Sequence, residues 1–158
     1  MNSGSRHAPA ASFVVLVAED SKYDRMILQQ AFDEVGAPVT LRFVVDGAEL
    51  LDYLCRRNAY SGEGAAIRPD VILLDLNMPR MDGNEALRQI RADVALRMLP
   101  VIVLSTSDNR KQVVQAHVDG VNAFMTKPGR FEDLLDMVAK FVAFWRDTAR
   151  LPHSESLV

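Results

Sequence analysis

Six consecutive apolar residues, Phe13–Ala18, stop abruptly at two adjacent acids, Glu19 and Asp20. A strand with no polar alternation must be buried on both faces, the condition of a parallel sheet covered by helices. The same design recurs along the chain. Val71–Leu74 ends at Asp75, a strand over 100–104 ends at Ser105, and one over 121–126 ends at Lys127-Pro128. Between them lie helical patterns. Leu28, Ala31, Phe32 and Val35 recur at helical spacing after Ser21 or Asp20 as cap, until Gly36 and Pro38 end the run. A short strand over 40–45 leads through Asp46-Gly47 into a helix containing Leu50, Leu51 and Leu54, followed by a long surface loop over 58–69. Asp82-Gly83 opens a helix with Ala86, Leu87 and Ile90 inward; Val113, Val114 and Val118 mark another, and the last runs to about Trp145. Five β-α units in series predict an α/β fold, a doubly wound parallel sheet joined by right-handed crossovers.

The 158 residues, 49% apolar and 25% charged, suffice for one domain. A net charge of −3 without any Lys/Arg block argues against direct nucleic-acid binding. Cys55 is the only cysteine and the three histidines are scattered, so neither a disulfide nor a His/Cys metal site is expected. This fits a reducing, cytoplasmic setting. No stretch has the length of a membrane span or the apolar run of a signal peptide. The expected organisation is a leader over 1–12, disordered or partly an expression scar, a domain over 13–147 and a tail over 148–158.

Ligands of such sheets bind where strands end at their carboxyl edge. Glu19, Asp20, Asp75, Ser105 and Lys127 are the polar residues at those ends and should meet in one pocket. Three carboxylates together repel one another, and without a cation one of them should hold a proton. A hard divalent ion relieves this, and Mg²⁺ suits a few protein oxygens completed by water. Asp20 and Asp75 are the expected direct ligands, the Asn77 backbone carbonyl turns back to the ion, and Glu19 holds a metal-bound water. A carboxylate so placed can form an acyl phosphate if the phosphoryl charge is neutralised; Lys127 supplies a cation and Ser105 a hydroxyl donor.

These residues resemble the receiver domain of response regulators. The likeness covers 13–145 and rests on Glu19-Asp20, on Asp75-Leu76-Asn77-Met78-Pro79 with Met81-Asp82-Gly83, on Ser105-Thr106, and on Lys127-Pro128. It implies a flavodoxin-like receiver fold, strand order 2-1-3-4-5 with five helices. It also implies a signalling switch in place of a turnover enzyme, with Asp75 as phosphoacceptor from a histidine kinase. Asp20 and the Asn77 carbonyl then bind Mg²⁺, Ser105 and Lys127 hold the phosphoryl group, and Phe124 moves with Ser105. From the residues alone Phe124 is equally an ordinary half-buried aromatic. The Lys127-Pro128 bond is expected to be cis. The insertion of Gly129-Arg130 before Phe131 departs from the usual aromatic after Lys-Pro. The 58–69 segment, Phe144-Trp145-Arg146 and Leu151-Pro152 resemble stand-alone receivers paired with bacterial phytochromes.

Two alternatives belong beside this one. A haloacid-dehalogenase-type phosphatase also uses a nucleophilic Asp, but needs a second Asp two residues on as general acid, and Asn77 stands there. A receiver that has lost phosphorylation is at odds with Asp75, Asp20 and Lys127 together. Asp24, Asp70, Asp82 and Asp108 read as caps or solvated acids, Cys55 as packing and His117 as surface. With no output domain expected after the last helix, the signal passes to an unknown downstream protein. On that helix Phe131, Leu134, Leu135, Val138, Val142 and Trp145 form a core stripe. Met137, Phe141 and Phe144 form a second one, the expected surface of a homodimer.

Overall fold

The computed structural model describes residues 12–152, so most of the expected leader and the end of the tail lie outside the described residues. The apolar runs become β1 (Phe13–Ala18), β3 (Val71–Leu74) and β4 (Val101–Ser105); β2 is Val39–Val44 and β5 Ala123–Thr126. All pair in parallel in the order β2-β1-β3-β4-β5. The helices are α1 (Lys22–Val35), α2 (Gly47–Cys55), α3 (Gly83–Ala92), α4 (Arg110–Val118) and α5 (Phe131–Phe141). This is the doubly wound sheet the sequence predicts.

Alternation along the buried strands sends neighbouring side chains into two separate cores. Leu16, Ile72 and Val103 meet Leu50, Leu87 and Ile90 of α2 and α3 on one face. Val15, Val17 and Leu73 meet Phe32 of α1 and Val138 of α5 on the other. Side-chain caps start the helices where expected: Ser21 accepts from the Asp24 amide at 3.2 Å, Asp46 from Glu49 at 2.8 Å and Asp82 from Glu85 at 2.9 Å.

Four expectations need correction. β5 begins two residues late, because the Asn122 side chain takes the Val101 amide at 2.8 Å and Arg91 at 2.9 Å, fixing the approach before the strand starts. Phe141 is not surface: it is 4% exposed and meets Phe32 edge-on, ring centres 6.1 Å apart. α5 packs on α1 as well as the sheet, so its buried face is wider than one stripe. The helix continues as a π turn, Val142–Arg146, that leaves Phe144 52% exposed. Cys55, at the C-terminus of α2, is exposed and does not pack. Finally, no peptide bond among the described residues is cis. The two isomers before proline differ by only about 0.5–1 kcal/mol, and the trans Lys127-Pro128 bond already brings Lys127 to the strand-end acids.

Candidate functional site

Register brings the strand ends level. Ala18 pairs with Leu74, and the Asp75 amide donates to the Ala18 carbonyl at 3.1 Å, so Glu19-Asp20 and Asp75 leave the sheet side by side. Carboxylate oxygens of Glu19, Asp20 and Asp75 lie within 4.8 Å of one another. Glu19 is buried, Asp75 partly so and Asp20 exposed, which grades the cluster from the core to solvent. From β5, Lys127 reaches across: its Nζ is 2.9 Å from Glu19 Oε1, 3.4 Å from Asp24 Oδ2 and 3.8 Å from Asp75 Oδ2.

Electrostatics follow from this crowding. Burial, and then hydrogen bonding to Asp75 and Asp24, pushes the Glu19 carboxyl up to about 9, against the opposing pull of Lys127. The metal-free cluster therefore keeps a proton at neutral pH, as three mutually repelling carboxylates require. The same contact with Glu19 holds Asp24 below its ordinary value, and Lys127 adds to that. Burial depresses Lys127, but Glu19, Asp75 and Asp24 outweigh it and raise the ammonium above its ordinary value. Glu19 Oε2 is buried with no N–H or O–H donor to it among the described residues, so in the absence of an ion it is the oxygen left to carry the shared proton toward Asp75 and Asp24. Once that proton leaves, a buried oxygen without a donor fits a cation or its bound water.

The loop after Asp75 is held by close backbone contacts. The Gly83 amide donates to the Leu76 carbonyl at 3.1 Å, and a Cβ on Gly83 would stand 2.5 Å from the Asp75 carbonyl oxygen. Gly47 of α2 donates to the Met81 carbonyl at 3.0 Å with equal crowding. Arg80, at φ 62°, grips the buried Asp46 through Nε at 2.6 Å and Nη2 at 3.0 Å. Asn77 is exposed on this loop, its amide donating to Asp75 Oδ1 at 3.0 Å. On β4, Ser105 is fully buried and its hydroxyl accepts from the Ser107 amide at 3.2 Å. Phe124 pairs in register with Val103 and packs, half-buried, on the α2–α3 face; Ser105 shares that face, two residues beyond Val103.

Sequence reading missed several of these residues. Asp24, taken for a cap, lies within reach of Lys127. Arg25 donates to the carbonyls of Glu19 at 2.8 Å and Asp20 at 3.0 Å, fixing the loop that carries both acids. Asp46 is a cap and also the anchor of Arg80. No periodicity marks such residues, although an Arg beside an acidic strand end is a usable hint.

The response regulator receiver domain matches this chain over residues 15–139. The chain belongs to that family. Receivers are signalling proteins of two-component systems that take phosphate from histidine kinases and bind a divalent metal. The fold also matches a response regulator in red light signaling of R. palustris at TM-score 0.85 and 42% identity, over 89% of this chain and 99% of that one. The phosphorylated cyanobacterial phytochrome response regulator RcpA matches at TM-score 0.83 and 37% identity, over 90% and 100% of the two chains. Response regulator Rcp1 of Synechocystis sp. is 35% identical over 88% of this chain and 92% of its own; its Mn²⁺-bound crystal structure matches at TM-score 0.79 over 89% and 99%. A phosphatase is not favoured, since the acid at the centre of this receiver ends β3 and Asn77 stands two residues on. Among the described residues no helix is long and apolar enough to cross a membrane.

Proposed function

We propose that Asp75 of this receiver accepts the phosphoryl group of a bacteriophytochrome histidine kinase in the cytoplasm. The carrying observation is the Asp75 carboxylate at a strand end, with two further carboxylates within 4.8 Å and the Lys127 ammonium 3.8 Å away. An Asp75 oxygen forms a bond to phosphorus as the phosphorus–nitrogen bond of the phosphohistidine breaks; the leaving imidazole recovers its electron pair and takes a proton from solvent. Mg²⁺ is the expected ion, held by Asp20, Asp75 and the Asn77 carbonyl with Glu19 on its water shell, and supplies charge neutralisation when bound. Lys127 and the Ser105 hydroxyl hold the phosphoryl oxygens. The phytochrome partner is supported by the kinship with RcpA and with the R. palustris regulator of red light signaling.

The test is phosphotransfer from purified bacteriophytochrome kinases to the wild-type chain and to Asp75→Asn. Wild type is labelled, Asp75→Asn keeps its circular dichroism but takes no label, and EDTA stops transfer. Full labelling of Asp75→Asn, or undiminished transfer in EDTA, overturns the assignment.

Output then passes through the receiver's own surface to a downstream protein. Rotation of Phe124 toward the space left by Ser105 is the proposed readout, supported by their common face of the sheet. Structures with and without beryllofluoride that show one Phe124 rotamer exclude it. Homodimerisation is proposed through the end of the last helix, limited to Met137 and Phe144 because Phe141 is buried. Phe144→Asp should yield monomers by light scattering, and a wild-type chain monomeric at high concentration refutes this.

A further inference from the structure

Asp24 sits in the first turn of α1, where its amide takes an ordinary place, donating to the Ser21 hydroxyl. Its carboxylate does something a helix terminus does not ask of it. Oδ2 lies 3.4 Å from Lys127 Nζ, while Asp75 Oδ2 is 3.8 Å away. Of the three carboxylates around Lys127, the one at the end of β3 is the farthest. A cavity of about 80 Å³, lined in part by Ile27, Leu28, Leu104 and Leu134, adjoins Lys127 and leaves its stem room to move.

We propose that Asp24 is a positioning residue that draws Lys127 toward α1, away from Asp75, and so weakens the site's hold on a phosphoryl group. This rests on the reading of Asp75 as acceptor. Nζ now lies nearer to Asp24 than to Asp75, and to bond a phosphoryl oxygen on Asp75 it must give up part of its attraction to Asp24. The Asp24 charge also repels the phosphoryl oxygens. Both effects have the same sign. Asp24 is 40% exposed, so the pair is screened, and removing its charge should strengthen phosphoryl binding by about two- to tenfold.

Beryllofluoride binding at saturating Mg²⁺, followed by ¹⁹F NMR and calorimetry, measures this directly. Asp24→Asn should bind it about two- to tenfold more tightly than wild type, while its affinity for Mg²⁺ alone stays equal or falls, because a nearby negative charge is gone. Asp24→Glu should return beryllofluoride affinity toward wild type. A purely structural role would weaken both ligands together. If wild type fails to bind beryllofluoride, or Asp75→Asn binds it equally well, the acceptor assignment has failed and the anchor falls with it. If wild type binds and Asp75→Asn does not, an unchanged or weakened affinity in a folded Asp24→Asn protein overturns the role of Asp24 alone.

Discussion

α3 and α4 come after neighbouring strands and are of similar length, yet they are held very differently. α3 buries Gly83, Ala86, Leu87 and Ile90, whereas α4 buries Ala116 alone and leaves Val114 54% and Val118 73% exposed. The end of α3 is fastened by Arg91, whose guanidinium donates to the carbonyls of Gly120, Arg97 and Leu99 and to the Asn122 side chain. α4 is tied to the approach to β5 by little more than its last turn, where Val121 donates to the Ala116 carbonyl at 3.0 Å. The helix after the acidic loop is thus part of the frame. The helix after Ser105 is the more lightly held of the two, with Ala116 in the core and its cap Asp119 paired to Arg88 of α3 at 3.3 Å.

The largest expected difference between them is in core truncation. Leu87→Ala should cost about 2–5 kcal/mol in urea unfolding; a cost below about 1 kcal/mol would show that α3 is no firmer than its neighbour. Arg91→Ala comes next, at about 1–3 kcal/mol, because it takes the donor from the part-buried contacts to the Gly120 and Leu99 carbonyls. Thermal melts that leave this variant level with wild type would remove Arg91 from the frame.

The acidic pocket at the strand ends should show its own pH signature. The folded chain keeps the Glu19 proton up to about 9, while the unfolded chain releases it near 4.5. Between those values the folded state binds more protons at this group, so the Glu19 contribution to stability without metal is fullest below 4.5 and falls as pH rises toward 9. Glu19→Gln should flatten that slope in denaturation curves taken across the range, and Mg²⁺ added to wild type at neutral pH should release protons. A slope unchanged by Glu19→Gln would assign it to other groups. Smallest of all, Val118→Ala in α4 should stay within about 0.5 kcal/mol of wild type, while hydrogen exchange runs faster in α4 than in α3. Equal protection of the two helices would abolish the contrast.

Legibility in the sequence divides along similar lines. Strands buried on both faces announce themselves by unbroken apolar runs, and their ends place Glu19, Asp75 and Lys127 together without knowledge of any angle between helices. Asp24 was not legible, because a first-turn acid looks like a cap unless the tilt of α1 toward Lys127 is known. Phe141 failed for a related reason. A helical wheel assigns one inward stripe, whereas α5 has both the sheet and Phe32 to cover. Asn122 failed because its side-chain oxygen accepts from the Val101 amide, as a ladder carbonyl would have done.

Gly83 carries a lesson about what this chain tolerates under mutation. Its amide and bare Cα sit against the backbone of Leu76 and Asp75, which makes the stretch from Asp75 to Gly83 a closed clasp of fixed length. A loop on the open surface absorbs an added residue by bulging outward. Here an insertion would slide a side chain under the Asp75 carbonyl, so chemical variety at this site must come by exchanging residues, with the spacing left alone.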